Sequence, residues 1–93
     1  MLLEIVSPEA TLFKGQVETV SVRGVDGEFQ MLNNHAAIIS MLVKGNIKIV
    51  GKNLKFDEKF AHRFEKLSDQ EYYLPIETGT IELKDNRINI LAS

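Results

Sequence analysis

Apolar and polar residues alternate with period two along most of this chain, and that period puts every second side chain of an extended strand on one face. Leu3 and Ile5, then Tyr72, Leu74 and Ile76, then Ile88 and Ile90 are separated by polar or exposed-type residues, and Gly, Pro and Asn punctuate the runs. Many short strands joined by turns rather than by long helices predict an all-β sandwich or barrel instead of a parallel sheet with crossover helices. A chain of 93 residues is one domain by default, able to bury somewhat over ~60% of its unfolded surface.

The punctuation predicts where strands stop. Ser7-Pro8 ends the first, because proline lacks the donor that a central strand needs. A short second strand runs around Thr11 to Phe13, with Gly15 turning the chain. A longer strand from Val17 to Arg23 is apolar enough on both sides to be largely buried. Further strands follow over Glu28 to Leu32 and Ala36 to Val43, with Asn33-Asn34-His35 as the loop between them. Gly45-Asn46 predicts a hairpin returning through Ile47 and Ile49, since glycine takes the positive φ of a tight turn, and Asp85-Asn86 predicts a second, two-residue hairpin. Leu54 to Phe56 extends the sheet. Residues 52–70 form a charged insert within the single domain spanning 1–93. Phe60, Phe64 and Leu67 lie there at i, i+4 and i+7, so a short helix capped by Asp57 is expected over 57–67, an irregular segment being the alternative.

Composition narrows the chemistry. With no cysteine, disulfides, thiolate metal sites and cysteine nucleophiles are excluded, and the chain suits a reducing compartment. A net charge of -2 with interspersed signs leaves no basic stripe for phosphates, so nucleic acid is not expected as a partner. Met1-Leu2-Leu3 runs straight into Glu4 and does not read as a signal peptide. The longest uncharged stretch, Phe29 to Val43, is too short and too polar for a membrane span.

Gly24-Val25-Asp26-Gly27-Glu28-Phe29 is the densest local signal. Glycines at 24 and 27 allow a sharp turn that presents Asp26 and Glu28 outward while Val25 and Phe29 tuck in. The loop leads into a strand rather than a helix N-terminus, and its charge repels phosphate, so it does not read as a nucleotide cradle. An enzyme would have to be built from His35, His62, Asp26, Glu28 and a few hydroxyls. Glu28 and His35 could form a carboxylate-histidine pair, but no serine elbow or third orienting group accompanies them. The histidines lack metal-ligand spacing. No catalytic residue, metal or cofactor is expected; Asp26 and Glu28 read either as solvated turn acids or as a docking surface.

The ordered set Leu3-Glu4-Ile5-Val6-Ser7-Pro8-Glu9, Leu12-Phe13-Lys14-Gly15, Gly24-Val25-Asp26-Gly27-Glu28-Phe29-Gln30-Met31-Leu32, His35-Ala36, Lys44-Gly45-Asn46-Ile47-Lys48-Ile49 and Ile81-Glu82-Leu83 through Ile88-Asn89-Ile90-Leu91-Ala92 resembles the epsilon subunit of rotary F-type ATP synthases. The resemblance implies a ten-stranded β-sandwich or flattened barrel at the foot of the central stalk. Its partners would be the gamma subunit and the loops of the membrane c-subunit ring. The protein would be peripheral to the cytoplasmic face of a bacterial inner membrane through the complex, with no catalysis of its own. It also implies that Glu28 faces the ring, with Asp26, Phe29 and His35 nearby, its carboxylate meeting arginine on the ring loops. Asn34, Ala37 and Thr78 stand where relatives commonly have glycine, proline and glycine, and the 52–70 insert is longer than usual. The sequence ends at Ser93, where relatives continue into a helical hairpin associated with inhibition and ATP binding, so nucleotide binding is not expected. A free-standing β-sandwich adaptor or ligand-binding module, and a small hydrolytic enzyme, are the other readings.

Overall fold

A computed structural model describes residues 1–93. Ten strands account for nearly all of its regular structure: β1 Leu2–Val6, β2 Thr11–Gln16, β3 Thr19–Gly24, β4 Gly27–Leu32, β5 Ile38–Leu42, β6 Gly45–Val50, β7 Glu65–Ser68, β8 Glu71–Ile76, β9 Gly79–Lys84 and β10 Arg87–Ala92. They run in the spatial order β2-β1-β10-β9-β5-β3-β6-β8-β7, with β4 on the remaining edge of β3. The sheet curls into a flattened half-barrel, as the period-two pattern predicts.

The fold line is β3. One of its edges pairs with β6 at Thr19 to Ser21 and is then taken over by β5 through Gly24 opposite Leu42. Two layers result, β2-β1-β10-β9-β5 and β4-β3-β6-β8-β7, and their alternate side chains meet inside. Leu3, Ile5, Ile81, Leu83, Ile88 and Ile90 from the first layer oppose Val20, Val22, Met31, Ile47, Ile49 and Leu74 from the second, all buried. Close approach at the fold line explains Gly24, where a Cβ would stand 2.9 Å from the Phe29 ring and 3.3 Å from Ser40 Oγ. Its role is steric. Positive φ is needed at Gly27, at +121°.

Two of the predicted turns form. Asp85 and Asn86 take φ of 52° and 60° between the paired residues Lys84 and Arg87, the two-residue hairpin with both central residues left-handed. Val25-Asp26 links β3 to β4 between the paired Gly24 and Gly27. Asn34 takes φ of 64°, so it occupies the left-handed region that asparagine tolerates better than most residues, at a position where the resemblance implies glycine.

Other expectations are corrected. Gly45-Asn46 is not a hairpin: β5 pairs with β9 and β6 with β3 and β8, so residues 43–45 carry the chain between layers, tied by Val43 N–H to the Arg23 carbonyl at 3.0 Å. Gly15 does not turn the chain; it lies within β2 opposite Leu3, where its missing Cβ leaves room for the Phe13 ring. Val25 does not tuck in but is 60% exposed. The strand through β3 is buried on one side only, Val20 and Val22 pointing in while Arg23 is exposed.

The insert holds no α-helix. Asp57 does cap a turn, its Oδ1 accepting from Lys59 N–H at 2.9 Å, but only a 3-10 turn at Ala61–Arg63 follows, and Phe64 is already extended. Tertiary packing overrides the helical spacing. Phe64 stacks in a cluster with Phe13, Phe56 and Tyr72, the Phe56 ring lying 4.6 Å from Phe64 and 4.5 Å from Tyr72 between centroids, whereas Leu67 stays exposed on edge strand β7. Aromatic pairs add about 0.5–1.5 kcal/mol each beyond area burial, which outweighs one isolated turn of helix. Leu54 to Phe56 is not a strand; both apolar residues pack on the core from a loop.

Candidate functional site

The outward faces of the two layers differ. On the layer containing β3, β6 and β8 the bare face is polar: Gln30, Ser21, Lys48 and Tyr73 stand side by side across four strands, with Lys48 Nζ 3.6 Å from Glu71. On the other layer, Met41 of β5 lies opposite Thr80 of β9, Thr80 opposite Leu91 of β10, and Leu91 opposite Val6 of β1. This row crosses four strands and is exposed at Met41 (64%) and Leu91 (59%). Val6, Pro8, Thr80, Met41 and Leu91 line an open depression of about 390 Å³. The neighbouring row begins with Ile39, which is 78% exposed, and continues through Glu82, Asn89 and Glu4. An apolar strip with a charged flank has the anatomy of a protein interface, whose core is depleted of charge and whose rim is polar. Sequence reading misses this strip because a core-facing and a bare apolar row have the same alternation; the cross-strand register separates them.

Of the four residues singled out from the sequence, Asp26, Glu28 and Phe29 lie together at the start of β4, whereas His35 lies past its other end. Six residues at roughly 3.4 Å each put about 17 Å between the two ends. Glu28 and His35 therefore form no acid-base pair. Asp26, Glu28 and His35 are exposed, while the Phe29 ring is half-buried against the core and supports the strand from beneath. Glu28 stands directly across from Arg23 on β3. His35 Nδ1 donates to the Ala36 carbonyl at 2.7 Å. The loop around it is held by Asn86, whose Oδ1 accepts from Asn34 N–H at 2.8 Å and whose Nδ2 donates to Asn33 Oδ1 at 2.7 Å. Because β4 pairs with β3 alone, its second edge is free, and the exposed residues mark the two ends of that edge.

No three His, Asp or Glu side chains converge as a metal site would require, and no helix is long and apolar enough to cross a membrane. The surface therefore presents one bare apolar face and one free, acid-tipped strand edge.

A sequence profile for the ATP synthase delta/epsilon chain beta-sandwich domain matches residues 1–63, and the chain belongs to that family. It is 35% identical over 89 residues to the ATP synthase epsilon chain of Leptospira interrogans, covering 96% of this chain and 58% of that one. To the epsilon chain of Pelagibacter ubique it is 36% identical over 92 residues, covering 98% of this chain and 58% of the relative. The chain thus spans a little over half the length of these curated relatives. A solved structure of the Tetrahymena thermophila mitochondrial ATP synthase central stalk and c-ring contains a chain with the same fold, with a TM-score of 0.66 at 18% identity over 99% of this chain and 62% of that one.

Proposed function

We propose that this chain is a non-catalytic subunit of the central stalk of a rotary ATP synthase, peripheral to the cytoplasmic face of a bacterial inner membrane. It joins the gamma subunit to the membrane rotor ring and so couples rotation to ATP synthesis and hydrolysis. Membership of the delta/epsilon family supports the assembly; the apolar row of Val6, Leu91, Thr80 and Met41 is the single observation that carries the docking. On this reading gamma covers the row, and the free edge of β4 faces the ring. A two-layer sheet suits the task because its close-packed core ties sequence-distant strands together and passes force on without local bending. The test is to wash the peripheral ATPase off membranes of the source cells and follow this chain. It is expected to leave with gamma in fixed ratio; recovery independent of gamma would point to a free-standing adaptor and end the stalk reading.

Glu28 is the ring-facing group with the clearest chemistry, since a carboxylate accepts paired hydrogen bonds from a guanidinium and resists sliding where apolar contact would not. Its replacement must respect Arg23, which lies opposite. Glu28→Lys would set like charges across the β3 and β4 pair and confuse local destabilisation with lost contact, so Glu28→Gln is the cleaner change. Reconstituted complex carrying Glu28→Gln is expected to hydrolyse ATP normally but pump about tenfold less per ATP or lower, in keeping with loss of a charged hydrogen bond worth about 1.5–3 kcal/mol. Unchanged pumping would remove Glu28 from the joint.

A further inference from the structure

The docking row contains one chemically vulnerable atom. The chain has three methionines, and their environments differ sharply: Met1 is 8% exposed, Met31 is fully buried, and Met41 is 64% exposed. Met41 is therefore the one methionine largely open to solvent, in a depression shared with Leu91, Val6 and Thr80. We propose that Met41 is an oxidation site whose state decides whether the free chain can dock, an inference that rests on the stalk reading above. Peroxide transfers one oxygen to the Met41 sulfur: the peroxide O–O bond breaks, an S–O bond forms, sulfur loses two electrons and the second peroxide oxygen leaves as water.

The product changes the row in the way that matters for docking. A flexible apolar side chain becomes a polar one with a strong acceptor oxygen, placed where a partner must exclude water. Thr80 supplies the one hydroxyl within the row itself. The Ser40 hydroxyl already donates to the Met41 carbonyl at 3.2 Å. Burying a weakly partnered acceptor at the interface lowers affinity by about tenfold or more. Once gamma covers the row the sulfur is shielded, so oxidation acts on the unassembled chain and not on the working motor. Reduction by thiol-dependent methionine sulfoxide reductases makes the block reversible.

The experiment treats the purified folded chain with hydrogen peroxide, locates the added oxygen by tandem mass spectrometry, and measures affinity for the gamma subunit of the same cells. Oxidation is expected at Met41 ahead of Met31 and Met1, with docking at least tenfold weaker. Sulfoxide reductases with dithiothreitol are expected to restore it. Met41→Leu, compared with its own untreated sample, is expected to change less than twofold on peroxide treatment. Undiminished docking of the Met41 sulfoxide, prior oxidation of Met31, or an equal peroxide effect on Met41→Leu would overturn the inference alone. An untreated chain that fails to bind gamma would overturn the stalk reading and this inference with it.

Discussion

Leu91→Asp is expected to weaken attachment to gamma by about 100-fold or more while leaving the isolated chain folded. Leu91 projects outward from β10 and is more than half exposed, so the free protein loses little packing, and the lower strand preference of aspartate costs it about 1 kcal/mol. In the assembly the same position lies between Val6 and Thr80 in the middle of the apolar row. On the proposed docking an aspartate there would be buried beside Val6, with the Thr80 hydroxyl as its one polar cross-strand neighbour and no cation of this chain opposite it. An uncompensated charge under a partner costs about 3–5 kcal/mol, and each 1.4 kcal/mol is about tenfold in affinity. Calorimetry or surface-immobilised binding to gamma reads the loss, and thermal melting of the free chain reads the control. Tight binding by a well-folded Leu91→Asp chain would show that gamma attaches elsewhere.

One residue back along the strand, the outcome inverts. Ile90 is completely buried on the inner face of β10, flanked by Ile5 of β1 and Ile81 of β9. Ile90→Ala is expected to cost about 2–5 kcal/mol, the transfer of the lost methyl groups plus the cavity left among neighbours that cannot collapse. A domain of this size has roughly 5–14 kcal/mol in total, so the melting temperature should fall by about 10–30 °C. Ile39→Ala, the same deletion on the bare face of β5, should move stability by no more than about 0.5 kcal/mol. Urea unfolding of the two variants side by side checks both. Equal losses would mean that Ile39 is not on a bare face.

These two contrasts mark how far the sequence could be read. Alternation along Ile88, Ile90 and Ala92 identifies a strand with one apolar face, and the turn chemistry of Asp85-Asn86 fixes its partner, because a two-residue hairpin is a local object. The same logic fails at Gly45-Asn46. A glycine-asparagine pair between apolar runs looks like a hairpin, yet β5 and β6 belong to different layers, and the Arg23 carbonyl and the fold at Gly24 redirect the chain. Phe60, Phe64 and Leu67 fail for a related reason. Their spacing is helical, but Phe13 and Tyr72, distant in sequence, offer Phe64 and Phe56 a better burial than a helix face would. The acidic turn was legible as an exposed feature. That Glu28 and His35 stand at opposite ends of one strand required only the length of β4, but that the strand has a free edge required its neighbours.

By itself the amino-acid order settled the all-β class, the tight turns at Val25-Asp26 and Asp85-Asn86, and the alternation that commits every second side chain of a strand to the same side. Period two is a property of extended backbone and needs no partner. Tertiary structure alone decided which of two apolar rows is core and which is bare. Leu91 and Ile90 are equally apolar neighbours, and what distinguishes them is the parallel pairing of β1 with β10 and the curl of the sheet, contacts between the ends of the chain that no local pattern encodes.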